Sequence, residues 1–519
     1  MGCVKRVYSL ALYKKIMLSC CIILLLYIVN IESSSVYIAG YEAASDVGEH
    51  KEIDLDIKKI STVLKSNGYN GCAYRDSSSA CSNSLPAMGL AWLAYSNGTG
   101  ESTKNSGYKY RNIKGFSTSS TTKVSNYVDG SITRNYGVAM ADEPFYATTV
   151  EYWQLKGLLE PNGNLDWGDR ILDAAFKNNS ILNSFSDNLF NFADQGDDFR
   201  LEVIQKGAVY FNVMPYTIWE MQDALNDCRA LKHSNLASTS QENSIKAWDE
   251  AVAFYTGSEE GDVEGGLRGC DSGHYGQLMF ALAEKRAGNF QTCTGRTTSG
   301  SGGAFSQLNS DLFLLFTEGK EDINAAFAHS QTAYCDDAEL VKLQIVKKML
   351  IPIIQGTLRY LYKSRVGVTA GTDYDAKEQG ELFAFTTAAL PHIHKCSPKT
   401  AQLLYERTWG DVTPGIPTFD TDWETIKTGI ESTYPCLGIT CTDVGALTDA
   451  EYHGACVDQS SSTSKQEDKI PDFGIAIIAI FGIATFIGAA LGYFYWKKYV
   501  GAYTMLNSEM SKTEILQEL

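Results

Sequence analysis

Four oxygen-bearing side chains recur along one stretch of the chain at the spacing of a helix face. Tyr216, Glu220, Asp223 and Asp227 follow one another at intervals of four, three and four residues, which places them on one side of an α-helix. Phenol and carboxylate oxygens are hard ligands that suit a hard cation. Most charged helix faces are only solvated, however, and the spacing taken alone favours that simpler interpretation.

A second group of candidates lies on the next predicted helix, over Ala247–Gly257. Its apolar positions are predicted to face the core, with Glu250 at the edge of that face and Asp249 pointing away into solvent. Glu381 is placed in the same way beside Phe385. A carboxylate at the margin of a buried face needs a partner, and a cation, an arginine and a helix N-terminus all remain open as that partner.

The two groups belong to a predicted internal duplication. Met214–Leu225 resembles Ile351–Leu361, with a proline at the matching position, and Glu250–Thr256 resembles Glu381–Thr387 in the same order. Sustained period-two alternation is rare, so a β-rich fold is the weaker alternative. The sequence therefore predicts a mainly α fold: a duplicated helical-bundle ectodomain with long loops, disulfides and one C-terminal transmembrane helix.

Local signals predict where some helices begin. Pro144 is expected to start a helix that continues through Trp153, because proline suits the first helical position. Two short helices are expected around Asn178 from the spacing of Leu, Ile and Phe. His392, which follows Pro391, is expected to lie in a loop, either as a nitrogen ligand or as polar surface.

The two ends of the chain predict export and membrane anchoring. A basic flank before the apolar run IMLSCCIILLLYIVNI is typical of a signal peptide, and the uncharged run FGIAIIAIFGIATFIGAALGYFYW is long enough to span a bilayer. The lysines that follow it place the tail in the cytoplasm. The predicted divisions are a signal peptide (1–35), an ectodomain (36–459, with approximate halves 36–295 and 306–459), a stalk (460–472), a transmembrane helix (473–496) and a cytoplasmic tail (497–519).

Composition narrows the class of protein further. The net charge of −17 argues against a nucleic-acid partner. Of the 13 cysteines, the ten outside the signal region predict up to five disulfides in an exported chain, and Cys436 and Cys441 are close enough for a local loop. Asn97 and Asn178 lie in glycosylation sequons. A GxxxG pair in the predicted span is compatible with a homodimer.

The stretches NVMPYTIWEMQDALNDC and AWDEAVAFYTGS resemble the signature of the algal iron-assimilation proteins, the low-iron-inducible periplasmic proteins called phytotransferrins in diatoms. The resemblance implies a non-enzymatic cell-surface receptor that captures ferric iron with carbonate and is then internalised. Its ligands are not carried over from the family. From oxygen and nitrogen chemistry, the candidate metal ligands are Tyr216, Glu220, Asp223, Glu250, Tyr255, Glu381 and His392, and the candidate anion-binding residues are Arg229 and Arg268.

The predicted tail carries Tyr503 and Leu506 in a tyrosine-x-x-hydrophobic pattern of the kind that endocytic adaptors bind, which fits a plasma-membrane protein cycling to endosomal vesicles. No HExxH, GxSxG, Walker or GxGxxG pattern occurs in a suitable context, so an enzyme is not expected. Two alternatives remain. One is a disulfide-stapled cell-surface adhesion protein without metal. The other is an imelysin-like helical protein that binds metal or acts as a peptidase, although the GxHxxE motif is not found.

Overall fold

The structure is a computed structural model. It describes residues 36–66, 87–97, 113–116, 126–129, 132–135, 139–160, 165–183, 187–232, 237–267, 269–270, 276–294, 304–369, 376–410, 419–448 and 456. These residues fall in one compact unit that ends at Cys456. The predicted signal peptide, stalk, transmembrane helix and tail lie outside the described residues, as do Arg268, Tyr503 and Leu506.

Helices make up most of the described chain. They are α1 (Gly48–Lys51), α2 (Ile53–Ser66), α3 (Ala87–Asn97), α4 (Pro144–Leu155), α5 (Trp167–Lys177), α6 (Asp197–Gly207), α7 (Met214–Arg229), α8 (Ala237–Thr256), α9 (Met279–Phe290), α10 (Gln307–His329), α11 (Ala333–Met349), α12 (Ile351–Thr369), α13 (Ala376–Cys396), α14 (Pro398–Thr408), α15 (Phe419–Glu431), α16 (Tyr434–Leu437) and α17 (Cys441–Val444). The predicted mainly α fold is confirmed.

The described strands form only two-stranded antiparallel hairpins. They pair β1 (Val36–Ile38) with β2 (Tyr41–Ala43), β3 (Asn126–Asp129) with β4 (Ile132–Asn135), β5 (Ser180–Leu182) with β6 (Asn188–Asn191), and β7 (Cys293–Thr294) with β8 (Phe305–Ser306). Hairpins this small cannot bury a core of their own, so the helices supply the core.

One group of helices contains the stretch that carries the predicted ligands. Helices α7 and α8 pack on each other and against the hairpin of α10 and α11. The indole of Trp248 donates to the carbonyl of Phe316 at 2.8 Å, and a Cβ at Gly319 would lie 2.2 Å from the Trp248 ring. Glycine at this position lets α8 and α10 approach closely. Helices on both sides of the predicted 295/306 boundary thus share one bundle.

A second group surrounds α13, which packs against α6, α12, α14 and α4. Gly380 brings the backbone of α13 onto that of α6, because a Cβ there would lie 2.3 Å from the carbonyl oxygen of Phe199. An aromatic core fills the space beside it, with Phe383 stacked on Trp409 at 4.9 Å. Pro391 lies inside α13, so the predicted loop position of His392 was wrong.

A π-helical segment, Ala208–Val213, joins α6 to α7 without a break. It turns the buried amide of Asn212 towards a polar pair, where it donates to the Tyr95 hydroxyl at 2.8 Å and to Asp169 at 3.2 Å. Tyr95 also donates a short hydrogen bond to Asp169. Such wide turns inside helices often mark functional regions, and here the turn ends directly before the predicted ligand stretch.

Four disulfides join described cysteines: Cys228–Cys335, Cys270–Cys293, Cys396–Cys436 and Cys441–Cys456. The prediction of a disulfide framework is confirmed. The local loop suggested for Cys436 and Cys441 was wrong, because each pairs with a different cysteine. Cys72 and Cys81 lie outside the described residues.

The predicted start of α4 is correct, whereas the helices predicted around Asn178 are not. Pro144 begins α4 as expected, and the helix continues through Trp153. The two helices expected around Asn178 were wrong: one helix ends at Lys177, Asn178 takes a left-handed conformation with φ of 55°, and a β-hairpin follows. None of the described helices is both long and apolar enough to cross a membrane.

Candidate functional site

The predicted ligand face lies on α7, but it is not a solvated face. Glu220 and Asp223 are only 3% and 5% exposed, and Tyr216 is half-buried. The Tyr216 ring lies 4.6 Å from that of Phe116 and 5.3 Å from that of Phe254. The helical phase was therefore predicted correctly, and the simpler interpretation of a solvated surface was wrong for Glu220 and Asp223.

The N-terminus of α4 lies against this face and brings a further carboxylate to it, that of Glu143. Glu143 accepts hydrogen bonds from the backbone N–H groups of Phe145 and Tyr146 at 2.8 and 3.2 Å, which caps the helix. Its other carboxylate oxygen pairs with Lys342 at 3.1 Å. The ammonium group of Lys342 also donates to Gln222 of α7 at 2.5 Å. Glu143 and Lys342 are both fully buried, so this pair fixes α4 to α7 and α11.

Tyr146 is the residue that this arrangement singles out. It is 1% exposed, and its hydroxyl group makes no hydrogen bond to any described residue. Burial raises the pKa of the phenol well above its usual value, and the nearby Glu143, Tyr216 and Glu220 raise it further. A buried hydroxyl without a partner is costly. We call Tyr146, Tyr216, Glu143 and Glu220 the phenol cluster.

Glu250 lies at the edge of the α8 core face, as predicted, with a side chain 14% exposed. It pairs with His50 at 2.8 Å and with Lys246 at 3.8 Å. The His50 ring packs edge-on against Phe254, 5.7 Å away, on the ring that Tyr216 also contacts. The partners of this carboxylate therefore include a histidine from α1 and a lysine one turn earlier on α8.

Asp249 was predicted to be solvated, and that prediction was wrong. Its side chain is 0% exposed. It accepts hydrogen bonds from the Tyr41 hydroxyl at 2.6 Å and from the backbone N–H groups of Ala44 and Ser45 at 2.8 and 2.9 Å. Burial is the main reason that its pKa is raised. Asp249 anchors the β1–β2 hairpin to α8, which is a structural role.

Tyr255 is fully buried in a separate polar network. Its hydroxyl donates to Asn309 at 2.6 Å, and the amide of Asn309 donates to Glu284 at 2.7 Å. Glu284 in turn accepts from the backbone N–H of Ser306 at 3.0 Å. The structure thus places Tyr255 with α9 and α10, where its hydrogen bond is satisfied.

The two remaining metal candidates lie on α13. Glu381 is 5% exposed, pairs with Lys206 at 3.6 Å and accepts a hydrogen bond from the Tyr360 phenol. His392 is buried against Phe145, with ring centroids 4.6 Å apart, and its Nε2 atom makes no hydrogen bond to a described residue. Burial, together with the positive charge of Lys395, lowers the His392 pKa to about 3. The expectation that His392 is polar surface was wrong.

The other predicted site residues that the structure describes lie in an ion pair or at helix ends. Arg229 pairs with Asp336 at 3.0 Å and with Glu339, so its guanidinium already has two carboxylate partners. Asn178 is half-buried at the end of α5. Asn97 ends α3, and its side chain is outside the described part.

Tyr146, Glu143 and Lys342 were missed at the sequence level. One signal was present: the order Glu143-Pro144 marks a capped helix start, which places Tyr146 in the first turn of α4. The approach of Lys342 from α11 had no local signal, because the contact joins residues 199 positions apart.

Among the residues that the structure describes, no three His, Cys, Asp or Glu side chains are grouped closely enough to hold a metal ion. Comparison of the chain with protein-family models, curated proteins and solved structures gave no match.

Proposed function

We propose that the protein is a cell-surface receptor that binds ferric iron, and that the phenol cluster is the binding site. The observation that carries this proposal is the Tyr146 hydroxyl, which is buried beside Tyr216 and Glu220 and has no hydrogen-bond partner among the described residues. Ferric iron is a hard cation that accepts tyrosinate oxygen. A bound cation would provide the partner that this hydroxyl lacks.

The charges around the cluster favour a cation over other ligands. Both oxygens of Glu143 are already engaged, by backbone N–H groups and by Lys342, which balances the charge of Glu143. The direct ligands in this proposal are therefore Tyr146, Tyr216 and Glu220. Their combined negative charge, once both phenols ionise, suits a trivalent ion.

Proton linkage predicts how iron binding should change with pH. Burial and nearby carboxylates hold the Tyr146 phenol protonated when no metal is bound, since its pKa is raised. A cation stabilises the phenolate, so binding releases protons. Acidification then weakens binding, which suits capture at the surface and release in an acidic vesicle.

The receptor role and the carbonate anion rest on the resemblance to algal iron-assimilation proteins and on the predicted leader, span and tail. Arg229, one of two arginines considered for carbonate, is engaged by carboxylates, so Arg268 is the one that remains in the proposal. An acidic chain of this kind also attracts cations from solution.

Iron binding can be tested by the colour of the purified full-length protein. Ferric iron with bicarbonate should produce a visible phenolate-to-iron charge-transfer band, which Tyr146→Phe and Tyr216→Phe should each weaken or abolish. Tyr152→Phe is the matched control, because Tyr152 lies on the same helix and its buried hydroxyl also makes no hydrogen bond to a described residue. A colourless protein that retains no iron at neutral pH would favour the adhesion alternative.

The receptor role needs a separate experiment in cells. Tyr503→Ala should leave the charge-transfer band intact and slow iron uptake, because the substitution removes the predicted adaptor motif. Uptake that proceeds at the original rate would remove the endocytic part of the proposal and leave iron binding untouched.

A further inference from the structure

A second polar cluster lies at the junction of α6, α9, α12 and α13, where Arg286 is buried and Lys206 and Lys285 are partly buried. We call it the basic cluster; it comprises Lys206, Lys285 and Arg286 with the carboxylates of Glu202 and Glu381 and the phenols of Tyr210 and Tyr360. Three cations face two carboxylates. A buried charge is costly unless it is balanced, so the buried guanidinium of Arg286 needs an explanation.

Arg286 is the centre of this cluster. It is 1% exposed, yet its guanidinium makes one described hydrogen bond, to the Asn289 side chain at 3.1 Å, and its Nε atom makes none. The guanidinium lies 5.3 Å from the ring centres of both Tyr360 and Phe385. These cation–π contacts hold the group against two rings and supply no hydrogen-bond acceptor to its unpaired Nε–H.

The two lysines beside Arg286 add hydrogen-bond donors to the cluster, and its carboxylate acceptors are already in use. Lys206 approaches Glu381 at 3.6 Å and Glu202 at 4.0 Å, so the carboxylates are already shared. Lys285 adds a further ammonium group; burial and the positive charges of Lys206 and Arg286 lower its pKa to about 8. The cluster is therefore rich in donors and positive charge.

We propose that the basic cluster binds a small oxyanion, with Arg286 and Lys285 as its principal donors. A planar guanidinium offers two parallel N–H donors to such a group, and the phenol of Tyr210, whose ring lies 4.9 Å from that of Phe385, is placed beside it. The site lies on different helices from Tyr146 and Glu220, so the proposal does not depend on iron binding.

Calorimetric titration of the purified full-length protein with inorganic phosphate, without iron, tests the proposal. We expect one phosphate per chain, and at least about tenfold weaker binding in Arg286→Gln and Lys285→Gln, because a hydrogen bond to a charged group contributes about that much. Arg229→Gln is the control, since Arg229 is a partly buried arginine already paired with Asp336 and Glu339. Chloride at equal ionic strength should not compete.

No measurable phosphate binding, or equal binding by the wild type and Lys285→Gln, would overturn the proposal. Loss of binding in Arg229→Gln as well would show that phosphate collects on surface charge. If Arg286→Gln fails to fold, Lys285→Gln alone is sufficient, because Lys285 is only partly buried.

Discussion

Tyr146→Phe removes one oxygen atom from the centre of the phenol cluster, and its effect on stability should depend on iron. Without metal, the hydroxyl is buried and makes no hydrogen bond to a described residue. Burying such a group costs about 1–3 kcal/mol. Because the phenylalanine ring fills almost the same volume, we expect the variant to be more stable than the wild type by about 1 kcal/mol.

Ferric iron should reverse this order. A ligand present at about 100 times its dissociation constant stabilises the folded state by about 2.7 kcal/mol. The wild type gains that stabilisation, whereas a variant without the Tyr146 phenolate gains little of it. With iron, the wild type should therefore exceed the variant by somewhat more than 1 kcal/mol.

Urea unfolding of the full-length protein, with and without iron, measures both differences as shifts of the midpoint. Tyr152→Phe should show the same gain without metal, since its buried hydroxyl also makes no hydrogen bond to a described residue, and should keep the full response to iron. Two results would refute the reasoning. One is a loss of 1 kcal/mol or more by iron-free Tyr146→Phe, and the other is an undiminished iron response in that variant.

Two further predictions concern buried charge. Lys342→Met should lower the free energy of unfolding by about 3–5 kcal/mol, because it leaves the Glu143 carboxylate buried without its cation. Lys348→Met, which breaks a half-exposed pair on the same helix, should cost less than about 1 kcal/mol. Equal losses of the two variants in urea unfolding would contradict the difference in burial. The folded-state pKa of His392 is lowered to about 3, below the unfolded value of about 6.5, so its contribution to stability is present above pH 6.5 and is lost as the pH falls towards 3. His392→Phe should therefore flatten the loss of stability between pH 6.5 and 4 relative to the wild type, and parallel curves would refute the assignment.

The helical character of the chain could be predicted, because helices follow from local patterns in the sequence. Proline at the start of α4 and the repeated apolar spacing of α7 are such patterns, and both helices lie where they were predicted. Burial of the polar face of α7 was not predictable in this way. Whether Glu220 is solvated depends on which other elements cover it, and the covering residues are distant in sequence.

Glu250 and Asp249 show the same limit at adjacent positions. The helical phase correctly placed Glu250 at the core margin, but it placed Asp249 in solvent. The β1–β2 hairpin and the two residues that follow it, about 200 residues earlier, cover Asp249 and supply three hydrogen-bond donors. A carboxylate on the outer face of one helix can therefore be an interior residue of the whole domain.

Long-range geometry also explains how the phenol cluster is held. Cys228 near the end of α7 is bonded to Cys335 near the start of α11. Two turns further along α11, Lys342 contacts Gln222, which lies six residues before Cys228. The disulfide and the lysine thus fix the same antiparallel register of α7 and α11. In that register Lys342 holds Glu143, and Glu143 caps the helix whose first turn carries Tyr146. A disulfide at one end of α7 therefore helps to position a phenol that lies beside the other end.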